Sequence, residues 1–173
     1  MQSFSVRELS SGDTDALLAF EAHNREWFES QIDARDPAFY TSEGVAEHIE
    51  RYLSDFASGI WHPFVIQDPT GRIVGRANLK AIDSAQGLAE VGYRVGQEAC
   101  GKGVATLALK HLIQQARSRW ALTALVAYVY PDNIGSQKVL DRCGFVREPR
   151  WEAQQIGTER RFVLTLSAPQ SAR

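Results

Sequence analysis

The chain is poor in cysteine. Cys100 and Cys143 are isolated thiols among 173 residues, too few for a disulfide framework. That suits a reducing compartment, and the cytoplasm is the expected location. Basic charge is not in excess either: 19 Lys and Arg against 21 Asp and Glu leave a net charge of -2. A nucleic-acid partner, which favours a basic surface, is therefore not expected. No apolar run approaches the ~20 residues of a membrane span. Met1-Gln2-Ser3-Phe4 has no cationic region followed by an apolar stretch, so neither a signal peptide nor a membrane partner is expected. The four histidines, at positions 23, 48, 62 and 111, show no zinc spacing with each other or with the cysteines, and no metal is expected.

What is there is the composition of an ordinary globular protein, 44% hydrophobic and 23% charged. The length predicts a single domain over 1–173, with its core at about 4–166, and shows no repeat or linker. Phe4 to Leu9 reads as a strand. Leu17, Phe20 and Phe28 suggest helical periodicity until Asp36-Pro37. Thr41-Ser42-Glu43 opens a second helix, with Val45, Ile49, Tyr52, Leu53 and Phe56 at helical spacing and Gly59 after its end. His62 to Gln67 and Ile73 to Ala81 form a hairpin around the turn Asp68-Pro69-Thr70-Gly71. Ala89 to Val95 alternates as a third strand. Val104 to Trp120 is a long helix with its stripe at Val104, Leu107, Ala108, Leu112, Ile113 and Ala116. Leu122 to Tyr130 is a buried strand, and a short helix ends at Cys143-Gly144. Phe145–Trp151 and Arg161–Leu166 close the chain before a frayed tail from Ser167 to Arg173. Strand, turn, helix and strand at the middle imply a parallel crossover in a mixed sheet. The fold class is α/β (α+β): a mostly antiparallel twisted sheet flanked by helices.

The segment Glu98-Ala99-Cys100-Gly101-Lys102-Gly103-Val104-Ala105-Thr106 organises the rest. Gly101 and Gly103 can take positive φ and let another molecule come close to the backbone. The helix that follows offers unpaired N–H groups at its positive end, a site for phosphate or pyrophosphate. A simple connection has the same local pattern. A P-loop fails because Gly103 is followed by Val104, not Lys. A dinucleotide fingerprint fails because Thr106 holds its third-glycine place.

Cys100-Gly101-Lys102-Gly103-Val104-Ala105-Thr106 resembles the acetyl-CoA loop of the GNAT acetyltransferase superfamily. Asn133-Ile134-Gly135-Ser136 followed by Cys143-Gly144-Phe145 resembles its second hallmark. Ala89-Glu90-Val91-Gly92-Tyr93 before the loop is similar to the RimJ/RimL-like branch of ribosomal-protein alanine N-acetyltransferases. So are Asn24-Arg25-Glu26 and Phe39-Tyr40-Thr41. The resemblance implies acetyl-CoA as co-substrate, transfer of acetyl to an amine, and a monomer or homodimer. It implies that the backbone of Tyr93, Arg94 and Val95 pairs with the pantetheine arm. Cys100, Gly101, Lys102, Gly103, Val104, Ala105 and Thr106 would supply N–H groups to the pyrophosphate. Asn133 would hydrogen-bond the pantetheine, and Ser136 would lie near the thioester sulfur.

Two places depart from the pattern. Glu98 stands where the family usually has Gln or Arg, so its carboxylate is expected to face solvent, with Lys102 and Lys138 as offsetting cations. Leu140 stands where many members carry the tyrosine that protonates the leaving thiolate, which moves that role to Ser136 or to water.

Acetyl transfer needs a neutral amine, hence an acceptor for its proton. Glu90 is the first candidate, sharing a strand face with Gly92 and Arg94. Its alternative reading is a surface carboxylate paired with Arg76 or Lys80. Glu152 is a second candidate. Asn133 also reads as a helix N-cap, and Ser136 as a first-turn helix residue. Trp27, Phe28, Phe39 and Tyr40 can wall an acceptor site or pack the core. Arg25 and Arg35 can read an acceptor carboxylate or stay solvated. The acceptor is expected to be a protein or peptide α-amine. The alternatives are a small amine, such as an amino acid, polyamine or antibiotic, or a non-catalytic acyl-CoA-binding module.

Overall fold

The computed structural model describes residues 3–150 and 159–166. In chain order the strands are β1 (Ser5–Glu8), β2 (His62–Gln67), β3 (Ile73–Asp83), β4 (Leu88–Val95), β5 (Ala124–Val129), β6 (Val146–Arg147) and β7 (Arg160–Thr165). The helices are α1 (Thr14–His23), α2 (Arg25–Glu29), α3 (Ser42–Ala57), α4 (Val104–Ser118) and α5 (Ile134–Arg142). The described strands form one seven-stranded sheet in the order β1-β2-β3-β4-β5-β7-β6. Five of the neighbouring pairs are antiparallel, and β4–β5 is parallel, joined by the α4 crossover. This is the mixed, mostly antiparallel α/β architecture that the element order implied.

Strand alternation sorts the two faces of the sheet. Ala89 and Val91 of β4, with Ala77 and Leu79 of β3 and Leu125 and Ala127 of β5, pack against α4 and Leu140 of α5. Leu109 and Leu112 of α4 are completely buried there. Each such leucine contributes roughly 1.5–3 kcal/mol relative to exposure. The opposite side is packed by Leu17 and Phe20 of α1, Phe28 of α2, and Val45 and Ile49 of α3.

Three details differ from the expectations. The first helical segment breaks at Asn24, because that side chain competes with the helix ladder. Its buried Nδ2 donates to the Phe20 carbonyl at 2.9 Å, and its Oδ1 accepts from Gln97 N at 3.0 Å. Second, Leu109 enters the core in place of Leu107, which is 38% exposed. Leu109 continues the row through Val104, Ala108, Leu112 and Ala116, and Leu107 falls at its margin. Third, β5 and α4 are shorter than their apolar patterns, Ala124–Val129 against Leu122–Tyr130 and Val104–Ser118 against Val104–Trp120. Trp151, Glu152 and the tail from Ser167 to Arg173 lie outside the described residues.

The sheet opens at its centre. β4 and β5 pair at Leu88↔Ala124, Ala89↔Leu125 and Glu90↔Val126. Beyond Glu90, β4 stays with β3 as far as Gly75↔Val95, while β5 stays with β7 as far as Val129↔Arg160. The two central strands therefore follow different neighbours and part into a notch. The glycine turn lies at the end of β4, and α5 begins just after β5.

Candidate active site

The glycine turn has the expected backbone. Gly101 and Gly103 take φ of 74° and 77°, the left-handed region that favours glycine. A Cβ placed on either would meet nothing within 4 Å, so the backbone is open to close approach. Gly103 caps α4, and Leu107 N returns to Gly103 O at 3.0 Å. The N–H groups of Val104, Ala105 and Thr106 come before that first helical bond and have no partner within the helix. Cys100 lies in extended backbone, its Sγ 3.5 Å from the Gly96 carbonyl, and burial pushes its thiol pKa up. The residue is exposed, but a thiol with a raised pKa is not an activated nucleophile.

Glu98 does face solvent, with its side chain 69% exposed. Its partners are the His23 ring at 3.1 Å and the Arg72 guanidinium at 3.7 Å, where Lys102 and Lys138 were expected. The turn folds back toward α1 and the β2–β3 hairpin, which brings those two groups alongside.

One wall of the notch carries two hydroxyls. Tyr93 OH and Ser136 Oγ are 2.9 Å apart, joining β4 to the first turn of α5. Burial raises the Tyr93 pKa, against a smaller opposing effect of its bond to Ser136, so the phenol holds its proton. Asn133 caps α5, its Oδ1 accepting from Ser136 N at 3.1 Å. Leu140 is completely buried in the core, so the hydroxyl next to Ser136 comes from the strand.

The other face of β4 carries Glu90, in register with Lys80 of β3. Glu90 is half-buried, and burial pushes its pKa up. The Lys80 charge opposes that shift and the Glu159 charge adds to it. Arg76, an alternative partner for Glu90 from the sequence, pairs instead with Glu21 at 2.9 Å. Lys80 lies across Gly92, with Nζ 2.7 Å from the place a Cβ there would take.

The chain matches the family model described as the Acetyltransferase (GNAT) domain over residues 4–146. It belongs to the GNAT acetyltransferases. It is 30% identical to the Bacillus subtilis (strain 168) protein named Probable N-acetyltransferase YjcK, over 83% of this chain and 80% of that one. Among solved structures, it resembles a ribosomal-protein-S5-alanine acetyltransferase from Vibrio fischeri, with a TM-score of 0.83. The identity is 23%, and the match covers 96% of this chain and 94% of that one. It also resembles the microcin C7 self-immunity acetyltransferase MccE, solved with acetyl-CoA and AMP. There the TM-score is 0.81 and the identity 22%, over 94% and 92% of the two chains.

This N-acetyltransferase holds features that the sequence did not reveal. The Tyr93 side chain was missed because its partner lies 43 positions away. Glu159 was missed because β7 brings it near Glu90 only in the folded sheet. Glu21 was missed because α1 reads as an ordinary amphipathic helix, yet the carboxylate is 1% exposed. Of the candidate acceptor wall, Phe28 is core. Trp27 Nε1 donates to Val95 O at 3.4 Å. Arg25 pairs with Glu29 at 3.0 Å and lies over the Tyr40 ring at 4.1 Å. Among the described residues no cluster of metal-ligating side chains exists, and no helix is long and apolar enough to cross a membrane.

Proposed function

We propose that this one-domain GNAT enzyme acetylates the N-terminal α-amine of a protein or peptide, in a ternary complex across the β4–β5 notch. The observation that carries the reading is the division of the notch. A raised-pKa carboxylate, Glu90, occupies one face of β4, and the Tyr93–Ser136 hydroxyl pair occupies the other. The residues present fit acetyl-CoA: open glycine backbone at positions 101 and 103, a free α4 N-terminus, and β4 backbone past Glu90 released from β5. When bound, acetyl-CoA supplies an activated acetyl group as its thioester.

The chain's own residues do the rest. The N–H groups from Gly101 to Thr106 would receive the pyrophosphate at the positive end of α4, the Cys100 N–H being held by the Gln97 carbonyl at 3.3 Å. The Tyr93, Arg94 and Val95 backbone aligns the pantetheine, with Asn133 at its other side. Glu90 Oε takes the proton from the acceptor amine, directly or through one water, which leaves the amine neutral for attack. A carboxyl pKa raised by burial suits this role, because it moves toward the working pH. The Ser136 hydroxyl would donate a proton to the departing sulfur and be restored from solvent, while the Tyr93 phenol keeps its own proton and orients that hydroxyl across 2.9 Å. The tyrosine absent at position 140 is thus replaced by a serine that a strand tyrosine orients. An open notch favours an extended peptide end, and the S5-alanine acetyltransferase resemblance supports that acceptor class.

The test is free-CoA release from acetyl-CoA, against N-terminal peptides with alanine and serine starts and against small amines. Release with peptides alone is expected. Release with small amines alone overturns the acceptor. Silence in both panels, with acetyl-CoA still raising the melting temperature, would instead point to a binding module.

A further inference from the structure

A charge imbalance is buried on the α1–α3 side of the sheet. Glu21 of α1 is 1% exposed and is approached by three guanidiniums. Arg76 of β3 lies at 2.9 Å, Arg94 of β4 at 3.2 Å, and Arg35 of the loop after α2 at 3.7 Å. One carboxylate against three arginines leaves two positive charges without a counter-charge in the group. Burying unpaired charge is costly, and the cost falls when an anion joins the cluster.

Among the described residues the neighbours do not supply that anion. His48 of α3 accepts from Arg76 Nη2 at 2.8 Å and stays neutral, its pKa pushed down to about 2 by burial and then by the Arg76 charge. Arg51 adds a further positive field on His48 from the same helix. Glu29 pairs with Arg25 at 3.0 Å. Tyr52 contributes a ring, with Arg76 over it at 5.3 Å. Arg76, whose side chain is 4% exposed, has a buried Nε with no hydrogen-bond partner among the described residues. Arg94 and Arg35 have side chains 25% and 24% exposed, so the cluster is open on one side. Each lies over an aromatic ring, Arg94 on Phe28 at 4.8 Å and Arg35 on Phe39 at 4.5 Å. Guanidiniums held in this way are prepared for bidentate carboxylate recognition.

The cluster lies on the acceptor side of the notch. Arg94 and Glu90 point to the same face of β4, four residues apart, or about 13 Å along the strand at ~3.3 Å per residue. Gly92 between them is crossed by Lys80, another cation. An amine at Glu90 and an anion at the arginines are then separated by more than the backbone of one amino acid. We infer that the acceptor carries a carboxylate beyond its reacting amine, an acidic side chain near the start of a peptide, read by Arg35, Arg94 and Arg76. The same cations favour the neutral form of the incoming amine. A hub that only ties α1 to β3 and β4 needs Glu21 with Arg76 and Arg94. The third arginine, Arg35, goes beyond that need.

This inference rests on the acetyltransferase reading of the notch, and the experiment separates the two. Free-CoA release is compared for the isosteric amidated peptides Ala-Ala-Asp-Ala and Ala-Ala-Asn-Ala, whose third side chain comes nearest to that span, and for free alanine and alaninamide. The Asp peptide is expected to exceed the Asn peptide in kcat/KM by about tenfold or more. In Arg35→Gln that ratio is expected to fall toward one, with the melting shift by acetyl-CoA confirming a folded, donor-binding variant. A matching preference for alanine over alaninamide would overturn the placement of the carboxylate beyond the first residue. Equal turnover of Asp and Asn peptides, or a ratio unchanged in Arg35→Gln, overturns the carboxylate site and leaves the acetyltransferase reading standing. Calorimetry with CoA present covers the silent case. Binding of the Asp peptide over the Asn peptide without turnover keeps the carboxylate site and sinks the peptide-acetylation reading. No binding of either peptide sinks the carboxylate site.

Discussion

Glu90 holds its proton more tightly than an ordinary glutamate because it is half-buried, and Lys80 only partly offsets that. As a base it works when ionised, so activity is expected to rise with pH through a raised carboxyl pKa. Glu90→Gln is expected to lower kcat/KM by about 10²-fold or more and to remove that limb, read from initial rates across pH. Its effect on folding runs the other way. With a raised folded pKa, the contribution of Glu90 to stability is greatest at low pH and is lost as pH rises through that pKa. Replacing the carboxyl by a neutral amide is therefore expected to leave the melting temperature at pH 7 unchanged or higher. Tyr93→Phe keeps the ring packing and removes the hydroxyl behind Ser136. It is expected to lower kcat with little change in the KM for acetyl-CoA. At this scale the sequence was legible where alternation decides a face, as for Glu90 opposite Val91. It was not legible for Tyr93 or Glu21, whose roles depend on partners brought from distant positions by the sheet.

The glycine turn and α4 act as one element. Gly103 holds a φ of 77° at the helix start, so Gly103→Val combines left-handed strain of roughly 1–2 kcal/mol with a side chain over the open N–H groups. The expected outcome is a KM for acetyl-CoA raised at least about tenfold, with a smaller loss in melting temperature, measured by steady-state kinetics and thermal unfolding. Asn24→Ala removes the bonds to Phe20 O and Gln97 N that tie α1 to the turn. It is expected to cost about 1–3 kcal/mol, read from denaturant unfolding. Helix boundaries were legible where caps and glycines mark them, as with Thr41 before α3 and Gly59 after it. The α1–α2 break was not, because Asn24 acts through a contact with a turn 73 residues away.

For the whole molecule, element order was enough to anticipate a mixed sheet with one parallel crossover, since strand, helix and strand in series leave few alternatives. The notch was not visible in the sequence. It arises where β4 and β5 keep different partners, a property of pairing and not of either strand alone. Acid stability is also set globally. His48, His62 and His111 all have pKa values lowered by burial. The unfolded chain takes up these protons below about pH 6.5, whereas the fold does not. Stability is thus lost as pH falls from there, with His48 contributing about 1.4 kcal/mol per pH unit toward its folded pKa. The central claim is that the notch divides acetyl transfer between Glu90 on one face and the Tyr93–Ser136 pair on the other. The most direct measurement is the pH profile of peptide-dependent CoA release in the wild type, Glu90→Gln and Ser136→Ala, with the acetyl-CoA melting shift recorded for each. The expected result is a large rate loss in both variants, loss of the acidic limb in Glu90→Gln alone, and donor binding intact. Wild-type rates and profiles in both variants would contradict it.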